Sequence, residues 1–387
     1  MKVVYFSKSF FADCDFPLVK ELQSHGVDVH YYIPITRGFK NSSILEFSKP
    51  WNKWGIYNAS NMEEMQAYKD CLDLKRLYFI SGYSNSICNP FSWFLWFYVL
   101  VHVLHQRADV LHFAYHLGRF EKLLLFLPFG GKRVMTVHDP IQHSGKNNYK
   151  ENEKARKKCF KWADDFILLS SNQVNEFCEK YKINKDNIKV SHLGVYDTIS
   201  HLQIQTTTNI KKPYIIFFGL IYPYKGLEYL LESMLTVHEK HPELSLLIAG
   251  KGNLYFDMAP YEKLDYIIWE NHYIGIRELA SYIRGSLFAV CPYKDATQSG
   301  VIQTAFALET PVIATNVGDF SEIVKDGLFG KIVPACDVNS LSNSICEMLD
   351  RPNMIEEMKL NISKIWMPSM SWGTIADDYI SVYTRNE

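Results

Sequence analysis

The sequence predicts an α/β protein made of two doubly wound domains in tandem, and three observations carry that prediction. Short apolar, β-rich runs alternate with helix-period segments from the first residues onward. A polar, Thr-rich stretch at 199–212 (ISHLQIQTTTNIKK) interrupts the alternation. The same alternation then restarts at Pro213. Continuous apolar runs such as DFILLS at 165–170 indicate strands buried on both faces, and strand–helix alternation implies a parallel sheet covered by helices.

In the first half the expected strands are 2–6, 28–33, 109–113, 133–138, 165–169 and 187–192. The expected helices are 16–24, 91–105, 148–163 and 173–180. In the second half, strands are expected at 213–218, 244–249, 266–269, 287–291, 311–315 and 330–333. Helices are expected at 227–238, 276–284, 300–308 and 340–349. The segment 227–238 has apolar residues at 227, 230, 231, 234 and 235, which is helical spacing.

Composition narrows the function classes. The chain has 387 residues, 47% hydrophobic and 21% charged, with a formal net charge of -1. This is the balance of a globular protein, with no global field favouring nucleic acid. Eight cysteines include no Cys-x-x-Cys pair, which argues against a zinc ribbon and fits a reducing cytoplasm. Met1–Phe6 reads as a first strand and not as a signal peptide. The run 91–104 (FSWFLWFYVLVHVL) is almost wholly apolar, but a membrane span needs about 20 such residues. It is expected to be a buried or interfacial helix. The basic, aromatic segment 154–162 joins it in an expectation of peripheral docking on an anionic leaflet.

In open parallel sheets, ligands bind outside the carboxyl ends of the strands. The segment 291–315 places a polar loop between a strand and a helix starting near Ser299-Gly300, where free amides and the helix dipole suit an anion. Lys225 lies in a glycine-bounded turn after the strand ending at Gly219, within reach of a phosphate. The turn 250–253, with Gly250 and Gly252, lets a ring or ribose approach closely. In the first half, His138, Asp139 and His143 share a loop just past a strand, where they would meet sugar hydroxyls. Each feature alone is also compatible with a plain structural turn, a surface lysine or a structural histidine.

Taken together, these stretches resemble a GT-B-fold, family 4 retaining glycosyltransferase of the kind that builds bacterial surface polysaccharides. The resemblance covers nearly the whole chain. It rests on FFG…KG at 217–226, LLIAGKG at 246–252, AVCPY at 289–293, ETPVIATNVGDFSEIVKDGLFGKIVP at 309–334 and TVHDP at 136–140. It implies two Rossmann-like domains facing across a cleft: an acceptor-side domain at 1–198, a linker at 199–212 and a donor-nucleotide domain at 213–368. A helix at 369–387 would cross back to the N-terminal domain.

The resemblance also implies roles. Lys225 would bind the donor diphosphate, as would the amides of Gly300, Val301 and Ile302. Gly219, Gly250 and Gly252 would line the donor site and Glu322 would stand near its end. His138 would contact the donor sugar, and Asp139 and His143 the sugar or acceptor. The donor would be a UDP- or GDP-sugar, with no bound cofactor or metal; Asp13-Cys14-Asp15 reads as a chance Asp-x-Asp. The acceptor would be a glycan or lipid-linked glycan, and the location cytoplasmic, with peripheral contact at the inner membrane face. The paired glutamates common in the family are replaced by Ala296 and Thr304, the usual arginine by Leu220, and the first turn at 7–15 lacks the usual glycines. Gln298 and Ser299 would then hydrogen-bond the sugar instead. The alternatives are another GT-B sugar-nucleotide enzyme of the epimerase type, or a non-catalytic sugar-nucleotide-binding partner.

Overall fold

The computed structural model describes residues 1–83, 86, 88–115, 117–118, 120–141, 149–196, 198–199, 210, 213–296 and 300–385. It divides into two compact units, Met1–Gly194 with Trp372–Glu387, and Val195–Ser371. The divisions fall at 194/195 and 371/372, not at 198 and 368. The reason is local: the Val195 amide donates to Met370 O, and Tyr196 packs on Gly300, so both residues belong with the second unit. Of the expected linker, only Ile199 and Ile210 lie within the described residues.

The strands of the first unit are β1 (Lys2–Phe6), β2 (Asp28–Thr36), β3 (Phe39–Ser42), β4 (Leu45–Trp51), β5 (Gly55–Asn58), β6 (Leu77–Tyr83), β7 (Val110–Phe113), β8 (Lys132–Val137), β9 (Asp165–Leu168) and β10 (Ile188–Val190). Among the described residues, eight of them form one sheet in the order β10-β9-β8-β7-β1-β2-β6-β5, and β3 and β4 pair as a separate hairpin. The ladders are parallel except for β5, which runs antiparallel on the edge against β6. The helices are α1 (Ala12–Ser24), α2 (Pro90–Gln106), α3 (Tyr149–Phe160), α4 (Val174–Tyr181) and, from the chain's end, α11 (Trp372–Tyr383). α1 starts four residues earlier than its apolar periodicity predicts, with Asp13 and Asp15 in its first turn, where carboxylates complement the helix dipole.

One face of this sheet carries α2, the short turn Glu121–Phe126 and α3, which share a core with Phe6, Phe113 and Phe166. α2 buries Ser92, Leu95, Trp96, Val99 and Val103, spaced for one helical stripe, and exposes Phe91, Trp93, Phe94, Phe97 and Tyr98. No helix among the described residues is long and apolar enough to cross a membrane. α1 and α11 pack together. The α11 contact is partly polar. His112 on β7 bonds Tyr383 Oη through Nδ1 at 2.7 Å and Thr136 Oγ1 through Nε2 at 2.9 Å, and Thr136 donates on to Tyr379.

The second unit holds β11 (Tyr214–Phe218), β12 (Ser245–Ala249), β13 (Ile267–Glu270), β14 (Ala289–Cys291), β15 (Val312–Thr315) and β16 (Gly330–Val333), all parallel, in the order β13-β12-β11-β14-β15-β16. Its helices are α5 (Leu227–Lys240), α6 (Ile276–Gly285), α7 (Gly300–Ala307), α8 (Phe320–Val324), α9 (Val338–Asp350) and α10 (Pro352–Asn361). The four central strands are fully buried apolar segments, as their unbroken hydrophobic runs require.

Candidate active site

The strand order of the second unit reverses between β11 and β14. From β11 the chain crosses through α5 to β12 on one side, and β14 later joins the other. That is the switch point where an open α/β sheet leaves a crevice at the carboxyl ends of its strands. Three loops meet there.

The loop after β11 opens at Gly219 with φ of +98°. A Cβ at Gly219 would stand 3.0 Å from Lys225 Nζ and 3.4 Å from Val301 Cγ2, and one at Gly250 would stand 2.0 Å from Gly219 O. Gly219, Lys225, Gly250 and Val301 are therefore brought together, and the absence of two side chains is what allows the approach. Gly252 lies one step further out. Its amide and carbonyl both bond the Asn271 side chain, at 3.0 and 3.1 Å, and it bridges to Ile221.

Lys225 is 6% exposed. Its ammonium lies 5.1 Å from the centre of the Tyr293 ring and has no carboxylate partner among the described residues. Burial pushes its pKa down to about 8, with the Cys291 thiol opposing the shift. A buried, unpaired cation is costly unless something neutralises it.

The third loop leads into α7. Its residues Gln298 and Ser299, singled out from the sequence, lie outside the described residues. Gly300 is exposed at the helix start, with the Tyr196 hydroxyl 3.4 Å from where a Cβ would be. The Ile302 side chain is fully buried, so only its backbone faces this turn. The Thr304 hydroxyl donates back to Gly300 O at 2.7 Å, leaving its lone pairs to accept from a ligand. Glu322 is exposed on α8, after β15, with no hydrogen-bond partner among the described residues. Gln303, which the sequence reading passed over, is buried with Oε1 unpartnered among the described residues; no periodicity signal distinguishes it from its apolar neighbours.

In the first unit, His138 follows β8 directly. It stacks on Phe11, ring centroids 3.7 Å apart and 11° from parallel. Its Nε2 is buried and has no hydrogen-bond partner among the described residues. Burial drives its pKa down to about 4, against the opposing pull of Asp139, so the imidazole is neutral at pH 7. The turn holding His138 and Asp139 is fixed from below. Arg156, 4% exposed on α3, donates through Nη2 to Asp139 O and to Pro140 O. The sequence reading assigned Arg156 to a solvated or lipid-facing basic stripe; its guanidinium instead satisfies two carbonyls of a loop that no helix or strand could satisfy. His143 lies outside the described residues.

The Asp-x-Asp at the first turn is absorbed by the fold. Asp15 is buried and accepts from Tyr5 at 2.7 Å and Tyr31 at 2.9 Å. Among the described residues, no group of three or more His, Cys, Asp or Glu is arranged to hold a metal.

An open α/β sheet with a buried lysine among glycine-marked turns at its switch point, preceded by a second sheet of the same plan, fits the GT-B class. Two family models match this chain: one described as Glycosyltransferase Family 4 over residues 17–198, the other as Glycosyl transferases group 1 over residues 212–351. An uncharacterized glycosyltransferase of Methanocaldococcus jannaschii is 26% identical over 56% of this chain and 59% of its own length. An MMP alpha-(1->4)-mannosyltransferase of Mycolicibacterium hassiacum is 23% identical over 72% of this chain and 70% of its own. The chain spans 59% and 58% of the lengths of the first curated relatives it matches. Among solved structures, Anabaena HepE in complex with UDP-glucose superposes with a TM-score of 0.68 at 12% identity, covering 98% of this chain and 99% of that one. The chain belongs to the family 4 glycosyltransferases and has their GT-B fold.

Proposed function

We propose that this chain moves a sugar from a UDP- or GDP-sugar to a glycan or lipid-linked glycan acceptor, with retention of anomeric configuration, in polysaccharide biosynthesis. The observation that carries the reading is Lys225, a buried ammonium without a protein counter-charge among the described residues, at the carboxyl ends of β11 and β14. As the bond from the anomeric carbon to the diphosphate oxygen breaks, negative charge gathers on that oxygen. Lys225 and the amides of Gly300, Val301 and Ile302 neutralise it, acting where water is excluded and dipoles are already oriented. Gly219, Gly250 and Gly252 line the nucleotide's place, their backbones packed too closely for side chains. Neutral His138 offers Nε2 to a sugar hydroxyl, and Asp139 and His143 are assigned to the sugar or acceptor. Gln298, Ser299 and the Thr304 oxygen meet the sugar where the paired glutamates are absent, and Glu322 binds at the far end of the donor. The names of the relatives, and the UDP-glucose held by HepE, support the donor class.

The test is release of nucleoside diphosphate from a panel of UDP- and GDP-sugars, with and without acceptor glycans. Release that disappears in Lys225→Ala is expected. Tight binding with no release under any acceptor would instead favour a non-catalytic partner, the alternative that Ala296 and Thr304 raise.

The same reading places the enzyme in the cytoplasm, in peripheral contact with an anionic membrane. What supports it is the outer surface of the α2–α3 layer. Phe91, Trp93, Phe94, Phe97 and Tyr98 are exposed on a helix that carries no acidic residue. Phe126 and Trp162 pack edge to face and are exposed next to Lys158 and Lys161. Aromatic insertion with lysine attraction is the chemistry of interfacial binding. Flotation with acidic vesicles should recover the protein, and Phe91, Phe94 and Phe97 changed together to Ser should lose it. Flotation unchanged in that variant would remove the support.

A further inference from the structure

The Lys225 ammonium has no carboxylate partner among the described residues, and its backbone is fastened on both sides. Before it, Tyr224 O accepts from the Lys294 amide at 2.7 Å. After it, Gly226 sits at φ of +64° with its Cα pressed on Pro292 O; a Cβ there would stand 2.1 Å from that oxygen. The next amide, Leu227 N–H, donates to Tyr255 Oη at 3.2 Å. That phenol donates in turn to Glu228 Oε2, and Lys294 Nζ donates to Glu228 Oε1 at 2.7 Å.

One carboxylate thus ties three loops: the turn carrying Lys225, the loop after β14 through Lys294, and the segment after β12 through Tyr255. Both oxygens of Glu228 are used. Gly226, the residue before α5, has no side chain to cap the helix, and the Tyr255 hydroxyl takes the first free amide instead. None of these three residues lies where the anion would sit, but each constrains the residue that does.

We infer that Glu228, with Tyr255 and Lys294, is a positioning device that holds Lys225 in register with the diphosphate. The inference rests on the reading of Lys225 given above. A lysine carries a long, flexible stem, and an error of about 1 Å in placing a reacting or binding group costs on the order of 100-fold. Fixing the backbone at 224, 226 and 227 sets the point from which that stem reaches toward the anion. A cap that only stabilised α5 would not need to reach across to the loop after β14.

Calorimetric titration of the full chain with UDP and with GDP identifies the nucleotide that the wild type binds, and the matching nucleoside is the control. Glu228→Gln, Tyr255→Phe and Lys294→Met should each weaken diphosphate binding by about 5- to 20-fold, with nucleoside binding within about twofold of wild type. Lys294→Arg should keep wild-type affinity. Two results overturn the inference: nucleoside binding lost in step with the diphosphate, or diphosphate binding unchanged in all three variants while Lys225→Gln loses it. Full diphosphate affinity in Lys225→Gln would instead remove the reading of Lys225 on which the inference stands.

Discussion

Asp15 and His112 in the first unit and Lys225 in the second are buried in opposite ways. In the first, Asp15 lies between two tyrosine hydroxyls, and His112 uses both ring nitrogens, on Tyr383 and Thr136. In the second, Lys225 is equally buried and has no protein counter-charge among the described residues. Burial perturbs all three pKa values: Asp15 rises to about 7, His112 falls to about 3 and Lys225 falls to about 8. Perturbation alone therefore does not mark a site. What separates them is whether the fold supplies the partner. Where it does, the group is structural, and where it does not, a ligand must.

This contrast can be tested from its largest consequence downward. Lys225→Ala should lower the rate of donor turnover by about 10²- to 10³-fold, the cost of removing one preorganised donor from a developing anion. Lys225→Met should not lower the melting temperature, because it removes an uncompensated buried charge. Scanning calorimetry and steady-state kinetics on the same samples check both. A large drop in melting temperature would make Lys225 structural and erase the distinction.

Asp15→Ala should behave oppositely. It leaves the Tyr5 and Tyr31 hydroxyls without their acceptor and should cost about 2–4 kcal/mol in urea unfolding. Nucleoside diphosphate affinity should stay near wild type. Affinity lost with stability would tie the first unit's buried network to the site.

The pH dependence sharpens the contrast further. The pKa of Lys225 is lowered on folding, so between about 8 and 10.5 the native state binds fewer protons than the unfolded chain. Its contribution to stability is therefore least favourable below pH 8 and improves as pH rises through that window. Ligand binding runs the other way. An anionic diphosphate holds the proton on, so affinity should fall above pH 8 by up to about tenfold per pH unit. In Lys225→Arg the profile should be flat over pH 7–9.5. A sloping profile in that variant would assign the titration to another group.

The smallest effect is expected at Glu322, exposed at the far end. Glu322→Gln should raise the donor KM by about threefold with kcat nearly unchanged, as loss of one solvent-accessible hydrogen bond would.

Much of this molecule was legible in the sequence, but unevenly. In the second unit, unbroken apolar runs such as 214–218 and 245–249 can only be doubly covered strands, and the turns that follow them are marked by glycine. In the first unit, β5, β6 and the β3–β4 hairpin went unread. β6 (LYFISGY) sits between segments rich in short-range turns and has no helix before it to set the strand–helix rhythm, while β5 is a four-residue antiparallel edge. Arg156 was misassigned because it sits in the basic run 154–158 of α3, and sequence gives no sign of which cation turns inward.

Sequence by itself determined the tandem α/β plan, the strand ends where ligands bind, and the residue types gathered there. These follow from local periodicity and from backbone limits that glycine and lysine obey wherever they stand. Tertiary structure alone decided which buried charges are answered. Asp15 meets Tyr31, sixteen residues away, and His112 meets Tyr383, 271 residues away, whereas Lys225 lies over the Tyr293 ring with no counter-charge among the described residues. A charge's partner is a matter of distance in space, and Coulomb and hydrogen-bond energies fall off too steeply for position along the chain to stand in for it.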